Sequence, residues 1–146
     1  MANYDELRLR AYRIPLYWIL MRPTDKHDLT TDEGKELLRR HLQWQYDLEE
    51  RGILLGAGPL DPGHERPRAD RPILDAFGVS IVAAPSREEA ERIAATEPFR
   101  QAGWREHLVV SWSLNEGLAA SLARQLVDAA GGHPPPPLLG PKPGAG

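Results

Sequence analysis

The chain has 146 residues, 41% of them hydrophobic, and a formal net charge of −3, from 18 Lys and Arg against 21 Asp and Glu. That length supports one domain with a real core, and interspersed charges provide no basic stripe of the kind a nucleic-acid partner favours. No cysteine is present, which excludes disulfides, thiolate nucleophiles and cysteine-ligated metals.

The opening "MANYDELRLRAYR" is charged, lacks the apolar centre of a signal peptide, and reads as a polar arm over residues 1–13, in part a strand. "IPLYWILMRP" predicts a strand from Leu16 to Met21, with Leu16, Trp18 and Leu20 on one face and Tyr17, Ile19 and Met21 on the other. Both faces are apolar, so both need cover. In "TDKHDLTTDEG", Thr30 with Glu33 fits a capping box. The helix it starts is expected from Thr31 to Arg51, with Gly52 in the left-handed position after it. Leu37, Leu38, Leu42 and Leu48 form its apolar stripe, and His41 and Gln45 fall within that stripe; Arg40, Asp47 and Glu50 fall outside it.

"ILLGAGPL" predicts a second strand and "DPGHERPRADRPILDA" a long loop. "FGVSIVAA" is a third strand, and "PSREEAERIAATEP" a helix with a second capping box from Ser86 and Glu89, ended with the help of Pro98. "FRQAGWRE" reads as a turn and "HLVVSWSL" as the fourth strand. Its Leu108, Val110 and Trp112 share one face; His107, Val109, Ser111 and Ser113 share the other. Asn115 is placed to cap a last helix from Glu116 to Ala130. The tail from Gly131, "GGHPPPPLLGPKPGAG", is proline-rich and expected to be extended and dispensable for folding, with Leu138 and Leu139 its apolar contacts if it docks.

The order β-α-β-β-α-β-α predicts an α+β fold, a ferredoxin-like βαββαβ sheet with helices on one face and an extra C-terminal helix. The domain is expected over residues 14–130, between the arm and the 131–146 tail. The unfilled need for cover on the second sheet face predicts a homodimer, two sheets packed as a dimeric α+β barrel. No apolar run reaches the ~20 residues of a membrane helix, so a cytoplasmic protein without a membrane partner is the simplest expectation.

Several polar residues are placed for chemistry. His41, on a buried helix face, has a side chain suited to proton transfer near neutral pH; a buried histidine satisfied by backbone reads from the same spacing. His107 and Ser111 share a strand face and would serve a substrate pocket or a dimer seam. Asp61 follows "GPL", at the mouth of such a pocket or in an ordinary turn. Trp18 and Trp44, with Tyr17, Tyr46 and Trp112, would hold a ring or fill core. Arg13 and Arg22 flank the first strand, where solvated arginine is the simpler reading. The five histidines form neither H-x-H nor H-E-x-x-H, so no metal is expected. "GAGPL" lacks the dinucleotide glycine register and precedes no helix, and Ser111 sits in no nucleophile elbow, so no cofactor is expected.

The stretches "HLQWQYDLEERGILLGAGPL" and "PSREEAERIAATEPFRQAGWREHLVVSWSLNEG" together resemble the YciI-like, or YCII-related, family. Its pattern is a helix beginning HL, a strand ending AGP, a helix with S-x-E-E-A, a D-P-F/Y/M turn followed by A-G, and a final strand. The resemblance runs from Leu16 to Gly117. It implies a dimeric α+β barrel with a small-molecule cleft and a His–Asp pair in it. Carried onto this chain, the histidine is His41 and the aspartate position is Glu97, one methylene longer. At a helix end, Glu97 is expected to oppose the helix dipole. The activity associated with the family, dehydrochlorination of a chlorinated hydroxyquinol, implies a lyase or isomerase for small phenolic, quinol, lactone or polyketide-like compounds. A non-catalytic dimer binding a metabolite is the alternative.

Overall fold

A computed structural model describes residues 1–61, 63, 76–129 and 131. The long loop after Asp61 lies almost wholly outside the described residues; the tail beyond Gly131, with Leu138 and Leu139, lies entirely outside them. In chain order the elements are α1 (Tyr4–Leu9), β1 (Ile14–Pro23), α2 (Asp32–Glu50), β2 (Leu54–Pro59), β3 (Gly78–Val82), α3 (Arg87–Ala95), α4 (Pro98–Gln101), β4 (Arg105–Leu114) and α5 (Leu118–Ala129). The described residues form two compact units, one within 16–112 and one of the two chain ends, 1–15 and 113–131.

The sheet order is β2-β3-β1-β4, the ferredoxin-like order, with β3 antiparallel to both its neighbours. Trp18 lies opposite Ile81 and Leu20 opposite Val79, which sets Tyr17, Ile19 and Met21 on the other face. That second face meets the helices: Ile19, Met21, Val82 and Val109 pack with Leu48 of α2 and Ala90, Ile93 and Ala94 of α3. Of the opposite face, Leu16 and Leu20 are buried within the chain, Trp18, Val79, Ile81, Val110 and Trp112 are half-buried, and Leu108 is exposed.

Four local expectations change. The arm is a helix, not a strand: Asn3 and Glu6 form a capping box, each side chain accepting from the other's backbone N–H at 3.0 and 2.9 Å. The cap of α2 is Thr31, one residue later than expected. Asp28 captures the Thr30 hydroxyl at 2.6 Å, so Thr31 accepts from Gly34 N at 3.0 Å. Gly34 has no side chain with which to complete a box. Leu42, expected in the buried stripe, is exposed. Asn115 precedes α5 by three residues and accepts from the Ser113 hydroxyl and from Tyr12 N instead of capping it. The end of α2 follows expectation. Gly52 takes φ 70°, and Ile53 N–H and Gly52 N–H return to the carbonyls of Leu48 and Glu49, the bonds of a Schellman motif.

Candidate active site

The segment "TEPFRQAGW" builds one side of the site. Glu97 has extended backbone geometry and is the N-cap of α4, its carboxylate accepting from Phe99 N at 3.1 Å and Arg100 N at 2.8 Å. Pro98 occupies the first helical turn, where its fixed φ and missing donor cost nothing. Gly103, at φ 75°, ends the helix, with its N–H bonded to Arg100 O and that of Trp104 to Phe99 O. Glu97 therefore stands at the favourable end of a helix dipole, which corrects the expectation that it opposes one. The sequence shows why the short helix escapes notice: four residues are too few for periodicity.

The other side is α2, which turns His41 inward, 7% exposed. Its Nδ1 lies 2.7 Å from Glu97 Oε1. Two further contacts fix the ring: Trp44 stacks at 5.9 Å between centroids and Phe99 lies at 5.7 Å. Trp44 is held in turn by its Nε1–H, which donates to Thr96 Oγ1 at 2.8 Å. Glu97 is fully buried. Burial pushes its carboxyl up, but His107, His41 and the Arg100 N–H, all facing it, outweigh that and hold it well below the usual carboxylate range. His107 Nε2 approaches Oε2 at 3.2 Å without hydrogen-bond alignment, so the His41 and backbone bonds are the directional ones. An ionised Glu97 accepts a proton-bearing Nδ1, which leaves Nε2 of a neutral His41 as the free lone pair.

His41 lines a cleft of about 230 Å³ with Met21, Leu38, Gln45, Phe77 and Arg105 among its walls. Gln45 is fixed by a bond from its amide to Ser80 Oγ at 3.3 Å. The structure thus brings His41, Glu97 and, through stacking on His41, Trp44 to one place. His107 touches Glu97 from behind and lines a separate cavity of about 160 Å³ beside Leu20 and Leu108. The remaining expected binding residues lie elsewhere. Trp18 packs edge-on against Trp112, 5.2 Å away, on the face of the sheet opposite His41. Ser111 is exposed and accepts from Arg87 Nη2 at 2.8 Å. Asp61 is exposed and closes a turn onto Gly63 N. Arg105 is the cleft residue that sequence reading passes over. Its signal is parity: β4 begins two residues earlier than expected, which puts Arg105 on the same face as His107 and Val109.

Among the described residues no group of three or more His, Asp and Glu is placed to hold a metal ion, and no helix is long and apolar enough to cross a membrane. A search of curated proteins finds no match. Among solved structures the chain is similar to 5-chloro-2-hydroxyhydroquinone dehydrochlorinase (TftG) from Burkholderia phenoliruptrix AC1100, in complex with 2,5-dihydroxybenzoquinone. The identity is 20% and the TM-score 0.48, over 66% of this chain and 92% of that one. The family model for the YCII-related domain matches residues 16–113. That span contains β2, β3, all but the ends of β1 and β4, the helices α2 to α4, and both His41 and Glu97, and the chain belongs to the YCII-related domain family.

Proposed function

We propose that this protein is an acid–base enzyme of lyase or isomerase type that acts on a small oxygenated ring compound without a cofactor. The observation that supports this most is the buried His41–Glu97 pair, Nδ1 to Oε1 at 2.7 Å, on the wall of a ligand-sized cleft. His41 Nε2 takes a proton from a carbon made acidic by a neighbouring carbonyl or from a ring hydroxyl. Glu97 keeps the ring in the required tautomer and offsets the imidazolium charge that forms. The electron pair left on the substrate either expels an anionic leaving group, which is elimination, or shifts the double bond and regains the proton from His41, which is isomerisation. In elimination the proton then passes from His41 to solvent alongside the departed anion, which restores the free base; in isomerisation it returns to the substrate.

Deuterium wash-in from D2O reads this chemistry across whole classes of candidate substrate. Hydroxyquinols (5-chloro-2-hydroxyhydroquinone included), phenols, small lactones and cyclic diketones are incubated with the protein and followed by NMR. The expected result is exchange or conversion of at least one class, abolished in His41→Ala when both proteins are assayed well below that variant's melting transition, where it is folded by circular dichroism. Saturable binding with no exchange or turnover across all classes would favour the non-catalytic metabolite binder instead.

We also infer that two copies pair through the sheet face opposite the helices. Trp18, Val79, Ile81, Val110 and Trp112 are only half-buried there and Leu108 is exposed, an apolar strip that a second sheet would cover. A stable monomer by light scattering at micromolar concentration would rule the pairing out.

A further inference from the structure

Among the described residues, no carboxylate bonds to Arg105. Its side chain is nevertheless buried, 8% exposed. Its guanidinium carbon lies 3.9 Å from the centroid of Phe99 and 4.8 Å from that of Phe77. Nη1 meets the Met21 sulfur at 3.6 Å, Nη2 lies 3.5 Å from His27 Nε2, and Nε has no hydrogen-bond partner among the described residues. Burial holds its pKa below the ordinary arginine value, opposed by the charge of Glu97. Glu97 does not relieve it directly: its carboxylate is committed to His41, Phe99 N and Arg100 N. The histidine beside it has its own pKa lowered by burial and then by Arg105, so His27 is a neutral neighbour and not a competing cation.

A guanidinium buried without a carboxylate is costly to the fold. The two aromatic faces recover part of that cost and fix the plane of the group. What they cannot supply is acceptors for its N–H donors. Arg105 lines the same cleft as His41. A planar fork of N–H groups on an aromatic shelf matches a planar oxyanion in geometry and charge.

We infer that the cleft takes its ligand as a planar organic oxyanion, a carboxylate, enolate or phenolate, with Arg105 holding the charged oxygen and the ring carried toward His41. This rests on the acid–base reading only for the location of the cleft, and it adds the charge state of the ligand. An anchored oxyanion would also orient the adjacent C–H or O–H of the substrate before proton transfer.

The test uses benzoate and benzamide, which share shape and differ in charge, titrated into the full chain at pH 7 and followed by calorimetry and by NMR of the Arg105 Nε–H. Benzoate should bind saturably and at least tenfold tighter than benzamide, and only benzoate should shift the Arg105 signal. Arg105→Met should reduce the preference below twofold, and Arg105→Lys should give an intermediate value. The Arg105→Met melting temperature should not fall, because an unneutralised charge is removed; if that variant fails to fold, the Lys variant and the wild-type NMR shift decide. Both probes are read by binding and not by turnover, so the inference survives or fails apart from the acid–base reading. Equal affinities for the two probes, no saturable benzoate binding, a preference that persists in Arg105→Met, or inorganic phosphate binding as tightly as benzoate would each overturn it.

Discussion

Glu97→Gln conserves volume and replaces one carboxylate oxygen with an NH2 group, and every group bonded to that carboxylate donates. Oε1 accepts from His41 Nδ1 at 2.7 Å and Phe99 N at 3.1 Å; Oε2 accepts from Arg100 N at 2.8 Å. The cheaper amide orientation puts its oxygen in the Oε1 position and keeps two bonds, but sets its NH2 against the Arg100 N–H. An unmade, part-buried bond of that kind costs about 1–3 kcal/mol, and reducing the His41 bond from charge-assisted to neutral costs about 1 kcal/mol more. The sum is about 2–4 kcal/mol, which in a domain of this size lowers the melting temperature by roughly 5–15 °C. Turnover should fall by about 10²–10⁴ beyond any loss of folded protein, because the amide can hold the imidazole but cannot offset its positive charge. Urea titration gives the stability change and deuterium wash-in at a temperature well below both transitions gives the rate. A melting temperature within about 2 °C of wild type, less than 1 kcal/mol on this scale, together with unchanged exchange, would refute both roles of Glu97 at once.

Acid should unfold the protein in two stages. His27, whose pKa lies below 6.5, contributes stability that is lost as pH falls below 6.5, where the unfolded chain takes up the proton more readily. Glu97, held below 4.5, contributes stability that is complete above 4.5 and is lost as pH falls toward its lower folded value; urea midpoints across pH should show the second stage vanish in Glu97→Gln. Gly34→Ala should cost about 3 kcal/mol or more by overpacking, since the new Cβ would lie 2.0 Å from the backbone oxygen of Asp28; an unchanged urea midpoint would show that the start of α2 is not closely packed.

The elements legible in the sequence are those whose apolar residues recur with a strong period. β1 and β3 are runs of Leu, Ile and Val, and α2 carries its stripe over nineteen residues. Those elements and their order are enough to predict the sheet. The failures lie where charged residues enter an element or an element is too short for a period. Arg105 and Glu106 begin β4 but read as turn, because Arg22, which pairs with Glu106 at 2.6 Å across the sheet, is far away in sequence. α4 has four residues and is defined by its two caps. The site is legible to a similar degree. His41 stands out as a polar residue in an apolar stripe, and Glu97 by its place before a proline in a recurring motif. Nothing local marks Arg105, since burial of a charge depends on Phe77 and Phe99 arriving from two other segments. Residue type alone draws Trp18, Ser111 and Asp61 toward the pocket; register, Arg87 and a tight turn place them outside it.

Glu97 joins the fold to the site, because one carboxylate caps α4 and holds His41. That double duty explains how a glutamate serves where the family pattern has aspartate. An aspartate is the better N-cap, since its short side chain reaches the N–H groups two and three residues on with little entropy to lose. With the backbone placed as it is in this chain, it would not span the additional distance to His41. One methylene less withdraws the carboxylate by about 1.3 Å, which stretches the 2.7 Å contact beyond a direct hydrogen bond. Glu97→Asp should therefore keep the cap and loosen the imidazole. The expected stability loss is about 1 kcal/mol, from the one bond given up. A water entering the gap would still transmit the charge, so turnover should fall less than in Glu97→Gln even though the direct bond is lost. If Asp left both stability and turnover unchanged, the cap and not the His41 bond would be what this position chiefly supplies, and the case for a catalytic pair would rest on His41 alone.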